Sequence, residues 1–99
     1  MNRKQKIAFV GLGLIGGSIA KAIRQYYPDY EIIAFDKNRE TLALATQESI
    51  IDVACSSIDD NFANCDYIFL CAPVAYNTAY LKQLKNYVSG DCILTDVGS

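Results

Sequence analysis

A chain of 99 residues suffices for one small domain. Hydrophobic residues make up 52% and charged residues 20%, with a net charge of −2, which excludes a disordered chain and gives no electrostatic case for nucleic acid. No apolar run approaches the roughly 20 residues that cross a bilayer, and glycines and basic residues break up the apolar stretch after the basic start, so no signal peptide is read. A soluble, cytoplasmic protein without a membrane partner is expected.

In chain order, Lys6 to Val10 (KIAFV) is a short apolar run ending at Gly11, as in a buried strand. From Ile15 the period changes: Ile15, Ile19 and Ile23 recur every fourth residue with Lys21 and Arg24 opposite, predicting a helix that Pro28 stops after Tyr26 or Tyr27. Glu31 to Phe35 (EIIAF) reads as a second strand, and Lys37 or Asn38 opens a helix to about Glu48. Asp52 to Cys55 is a short strand, Asp59 to Asn64 a helical turn, and Tyr67 to Cys71 (YIFLC) a strong strand. Val74 to Val88 reads as a helix with Leu81, Leu84 and Val88 on one face, capped by Gly90, and Cys92 to Thr95 as the last strand. The tyrosines Tyr76, Tyr80 and Tyr87 along that helix read as the edge of its packed face, with a partner surface as the alternative.

Strands alternating with helices, in continuous apolar runs, predict a parallel sheet covered on both faces. With right-handed crossovers the leading arrangement is the Rossmann-type α/β fold with strand order 3-2-1-4-5. The four cysteines (Cys55, Cys65, Cys71 and Cys92) form no C-x-x-C pair, and the chain has no histidine. They read as reduced structural thiols, and no metal site is expected.

One stretch carries chemistry. Gly11-Leu12-Gly13-Leu14-Ile15-Gly16 matches G-x-G-x-x-G, follows a strand and opens a helix, the context in which the pattern signals dinucleotide binding. Gly11 makes the turn off the strand, Gly13 admits a pyrophosphate to the backbone, and Gly16 lets the helix pack closely. The amides at the helix start, from Leu14 and Ile15 onward, face the phosphate charge. Their side chains are expected to anchor the helix in the core. Asp36 lies 20 residues beyond Gly16, at the end of the second strand, where a carboxylate accepts ribose hydroxyls and repels a 2′-phosphate. NAD is therefore favoured over NADP, with Lys37 and Arg39 close enough to moderate the preference. Ala72, Pro73 and Val74 open a helix beside the same pocket, with Pro73 suited to a helix start.

These residues resemble the prephenate and arogenate dehydrogenases of tyrosine biosynthesis. The resemblance runs over the whole chain and rests on Ile7 to Ser18 (IAFVGLGLIGGS), Phe35-Asp36-Lys37, Ile50-Ile51-Asp52, and Thr95-Asp96-Val97-Gly98-Ser99. One departure is Ser49, where the family usually has glycine before I-I-D, which leaves the end of that helix less defined. The resemblance implies oxidative decarboxylation of prephenate, or arogenate, with NAD as hydride acceptor. It places Gly98 among the cofactor contacts and gives Ser99 a role in orienting a histidine that the family carries beyond this point. It further implies that residues 1–99 are the NAD(P)-binding domain alone, without the helical substrate and dimerisation domain. The parent would be a homodimer, and the 99-residue chain would bind NAD weakly without turnover and self-associate through the apolar edge of its last strand or through the surface that the helical domain would contact. Two other readings share the β-α-β start: a nucleotide-sensing regulatory module and a truncated 3-hydroxyacid-type dehydrogenase.

Overall fold

The structure is a computed structural model and describes residues 5–97. Five strands, β1 (Lys6–Val10), β2 (Glu31–Phe35), β3 (Val53–Cys55), β4 (Tyr67–Leu70) and β5 (Ile93–Asp96), alternate with α1 (Leu14–Tyr26), α2 (Arg39–Gln47) and α3 (Val74–Leu84). A single 3-10 turn, Asp60–Phe62, precedes β4. The strands form one sheet in the order β3-β2-β1-β4-β5, and every pair is parallel. This is the expected Rossmann-type topology.

Burial on both faces explains the continuous apolar runs of β1 and β2, whereas β5, expected to be covered on both faces, is largely exposed. Ile7 and Phe9 of β1 point into one core with Ile32, Ala34, Ala20, Leu42 and Ala45. Ala8 and Val10 point into the other, with Ile33, Ile68, Leu70, Phe62 and Leu84. Phe9 and Phe62 are fully buried, and each such side chain contributes up to about 3 kcal/mol of burial.

Helix α1 packs on the sheet through Gly16 and Ala20, with Ile19 and Ile23 half-buried beside them. The expectation for Leu14 and Ile15 is corrected. Leu14 is 90% exposed and Ile15 47% exposed. The buried face of α1 starts at Gly16 and continues through Ala20, so the two side chains of its first turn do not reach the core.

Helix α3 ends at Leu84, four residues before the expected Val88. Past that point three-residue closures enter: the Asn86 amide donates to the Gln83 carbonyl at 3.2 Å and the Tyr87 amide to the Leu84 carbonyl at 2.9 Å, which the Val88 amide shares at 3.0 Å. Gly90 therefore does not cap the helix. Val88 still packs against the core from the turn, which is why the apolar periodicity continued past the helix end.

Helix α2 begins where Asn38 accepts hydrogen bonds from the Glu40 and Thr41 amides. At its other end Ser49 adopts φ 60°, the left-handed conformation. The Ile50 amide then donates back to the Ala45 carbonyl at 2.9 Å, the closure that glycine usually provides. Ser49→Gly is expected to raise stability by about 0.5–1 kcal/mol, since the left-handed cost of roughly 1–2 kcal/mol exceeds the entropic cost of glycine. Urea denaturation checks this; an unchanged or lower midpoint would refute it.

The Ile50-Ile51-Asp52 stretch also finds its physical reason here. One carboxylate oxygen of Asp52 accepts from the Ile32 amide and from Arg24 Nη2, both at 2.8 Å. Arg24 also donates to the carbonyls of Pro28 and Tyr30 at 3.2 Å. The exposed ion pair alone is worth little. Its bonds to main-chain atoms fasten the end of α1, the start of β2 and the entry to β3 together.

Candidate nucleotide site

The carboxyl ends of β1, β2 and β4 and the starts of α1 and α3 enclose a cleft of about 230 Å³. It is lined by Gly11, Gly13, Phe35, Asp36, Lys37, Cys71, Ala72, Pro73, Tyr76 and Tyr80. A larger hollow of about 540 Å³ lies at the opposite end of the strands, near Lys6, Glu31 and Asp66. It contains no part of the glycine-rich turn, and open parallel sheets place their ligands at the carboxyl end.

Three glycines of the turn have different surroundings. Gly11 has φ 90°, and a Cβ there would stand 2.6 Å from the Ala72 nitrogen. A Cβ on Gly16 would stand 2.7 Å from the Gly11 carbonyl oxygen and 3.3 Å from Cys71 Cβ. A Cβ on Gly13 would meet nothing within 4 Å. Gly11 and Gly16 thus face protein, while Gly13 faces the open side of the cleft.

Asp36 is fixed by main-chain donors. Its Oδ2 accepts from the Leu12 amide and its Oδ1 from the Asn38 amide, each at 2.8 Å. The carboxylate is thereby held against the glycine-rich turn at the rim of the cleft. The Gly11 amide donates to the Phe35 carbonyl at 2.7 Å, tying the same turn to β2.

The helix starts differ in a way that bears on charge. Helix α2 has its first amides satisfied by Asn38, but α1 and α3 have no side-chain cap. Neither α1 nor α3 has an acidic residue in its first turn. Both therefore leave first-turn amides without side-chain partners and set positive dipole ends beside the cleft, although in α3 the Tyr76 amide donates to the Pro73 carbonyl at 2.9 Å.

Of the residues singled out in the sequence, Gly11, Gly13, Asp36, Lys37, Ala72 and Pro73 line this cleft. Gly16 lies behind it, and Leu14, Ile15 and Val74 are exposed outside it. Gly98 and Ser99 lie outside the described residues. Phe35, Cys71, Tyr76 and Tyr80 also line the cleft and were not assigned to it from the sequence. Tyr80 joins the core as expected of a packed face, with its ring edge-on to Phe35 at 5.6 Å. Tyr76 instead turns to the cleft, with Lys37 Nζ 4.3 Å from its ring centre.

All four cysteines are free. Burial pushes the Cys65 thiol up to about 12 and the Cys55 thiol to about 11. Burial, followed by the charge of Asp96, raises Cys71 to about 11, so the thiol beside the cleft stays protonated at neutral pH.

A parallel sheet in this order, with a glycine-rich turn leading from β1 into α1, defines a Rossmann-type nucleotide-binding domain. Residues 19–99 match the family described as prephenate dehydrogenase, nucleotide-binding domain. The chain belongs to that family. It is similar to the prephenate dehydrogenase of Lactococcus lactis subsp. cremoris, 35% identical over 96 residues, which are 96% of this chain and 27% of that protein. Among solved structures, the prephenate dehydrogenase from A. aeolicus in complex with hydroxyphenyl propionate and NAD+ superposes with a TM-score of 0.89 and 32% identity, covering 99% of this chain and 35% of that one. The arogenate dehydrogenase of Synechocystis gives 0.85 and 31%, covering 94% and 32%. The chain thus spans about a quarter to a third of the length of these relatives. Among the described residues no helix is long and apolar enough to cross a membrane.

Proposed function

We propose that this domain binds NAD as the cofactor half of a dehydrogenase that oxidatively decarboxylates prephenate or arogenate. The observation that carries the reading is the turn itself: Gly13 faces open space beside two uncapped helix starts, with Asp36 fixed at the rim. The amides at the start of α1 would hold the pyrophosphate, and Gly13 admits it to the backbone. Asp36 would accept the ribose hydroxyls while its charge disfavours a 2′-phosphate, so NAD is preferred to NADP. The cleft of about 230 Å³ suits one nucleoside half, with the remainder lying over Gly13 toward the end of β4. Bound there, NAD supplies the hydride acceptor. Gly98 and Ser99 follow β5, and we assign Gly98 to the cofactor and Ser99 to orienting a catalytic histidine. This chain has no histidine, so residues 1–99 are read as the cofactor domain without the substrate domain.

By calorimetry the 99-residue chain is expected to bind NAD, and Asp36→Ala to weaken binding at least tenfold while the circular dichroism stays native. That loss corresponds to about 1.4 kcal/mol. Equal affinity of parent and variant would overturn the site. Prephenate-dependent NADH formation by the chain alone would overturn the reading of a cofactor domain without catalysis.

We further propose that this chain self-associates through β5. Ile93 is 52% and Leu94 37% exposed on a strand that pairs only with β4 among the described residues. Sedimentation is expected to show dimers or larger species as concentration rises; a strictly monomeric profile at high concentration would refute this.

A further inference from the structure

The cleft has one feature that a phosphate-holding turn does not need, an aromatic ring presented across it from Asp36. Tyr76 lies in the first turn of α3 and is 45% exposed. One face of its ring is covered by Lys37 Nζ, 4.3 Å from the ring centre. Around it are Phe35, Ala72, Pro73 and Tyr80, so the cavity next to Asp36 is apolar apart from Lys37. Tyr80 stands 6.3 Å from Tyr76, ring centre to ring centre, and edge-on to Phe35, which braces this wall from the core side.

On the reading of Asp36 as the ribose acceptor, on which this inference rests, the base lies one glycosidic bond from that ribose. We propose that Tyr76 is the platform on which the adenine ring stacks, and that Lys37 and the adenine compete for the same ring face. An exposed ammonium on a tyrosine is held weakly, whereas a base on an aromatic ring is held more firmly. The adenine therefore displaces Lys37. The hollow on the other side of Asp36 is the alternative place for the base. It is lined by Lys37, Arg39, Leu42, Ala43, Ala54, Cys55 and Ser56, with Phe35 its only aromatic side chain, and that ring is already engaged edge-on by Tyr80.

The test is NAD binding to the 99-residue chain, measured by calorimetry on four variants. Tyr76→Ala is expected to weaken NAD by roughly 5- to 100-fold, and Tyr76→Phe to restore it, because the ring and not the hydroxyl carries the contact. Nicotinamide hypoxanthine dinucleotide is expected to lose the same factor on Tyr76→Ala, since stacking tolerates a change of base. Lys37→Ala is expected to tighten NAD by roughly 2- to 5-fold; a lysine that contacts phosphate would give weaker binding instead, and that result would overturn the competition. In proton NMR, the ring signals that Tyr76→Phe identifies are expected to move upfield on adding NAD. If Asp36→Ala weakens NAD and Tyr76→Ala does not, the platform is refuted and the cofactor site stands. If Asp36→Ala has no effect, the site reading fails and this inference fails with it.

Discussion

Replacing Gly11 by alanine is expected to lower the unfolding free energy by about 2–5 kcal/mol. Two separate costs add. The residue sits at φ 90°, where an L side chain costs roughly 1–2 kcal/mol. The new Cβ would also lie 2.6 Å from the Ala72 nitrogen, 2.9 Å from its Cα and 3.0 Å from the Cys71 carbonyl carbon. These are backbone atoms at the end of β4, and moving them costs about a further 1–3 kcal/mol. A domain of this size has only about 5–15 kcal/mol in total. Urea denaturation should show the midpoint falling by about 1 M or more. A midpoint within error of the parent would mean that the approach between the β1 and β4 ends is not the constraint described.

Gly13→Val is expected to have the opposite signature, with the fold kept and NAD binding weakened by about 100-fold. A Cβ at Gly13 meets no protein atom within 4 Å, so packing gives no reason for unfolding. The side chain would instead occupy the approach to the amides at the start of α1. Each charge-assisted hydrogen bond lost there is worth about 1.5–3 kcal/mol, and one such bond near the upper end of that range accounts for the expected factor. Calorimetry measures the loss and thermal circular dichroism the fold. Parental affinity in a folded Gly13→Val would remove the phosphate from this turn. The two glycines are two positions apart, and one faces protein backbone while the other faces open space.

The sheet was legible from the sequence because its signals are local. Each strand is a short apolar run bounded by turn residues, and the change of period after Gly16 marks α1. The position of Asp36 was legible because it lies where β2 must end. Leu14 and Ile15 were misplaced because hydrophobicity indicates a tendency to burial, not where the buried face of a helix starts. The end of α3 was misplaced because Leu84 and Val88 both reach the core, and apolar spacing is blind to a change in hydrogen-bond closure. Tyr76 and Tyr80 are one helical turn apart and look equivalent in sequence. Their difference arises from Phe35 and Lys37, some forty residues away along the chain. The reason for Asp52 was hidden likewise, since its partners Arg24 and Ile32 are 28 and 20 residues distant.

The central position of β1 constrains the order in which the molecule can be assembled. β1 pairs with β2 on one side and β4 on the other. Residues 6–55 hold β1, β2, β3 and both helices of one face, with a core formed by Ile7, Phe9, Ile32, Ala34, Leu42 and Ala45. That half can begin to collapse as it leaves the ribosome, since the buried residues of this core all lie within it, and Phe69 and Cys71 pack against it later. The free edge of β1 must then wait for Tyr67–Leu70 to be synthesised. The atoms that crowd Gly11 and Gly16 belong largely to Cys71 and Ala72, just past that strand. The turn built from the earliest residues of the sheet is therefore locked in shape only when the later half docks, so its final geometry arrives with the fourth strand, long after the glycines themselves.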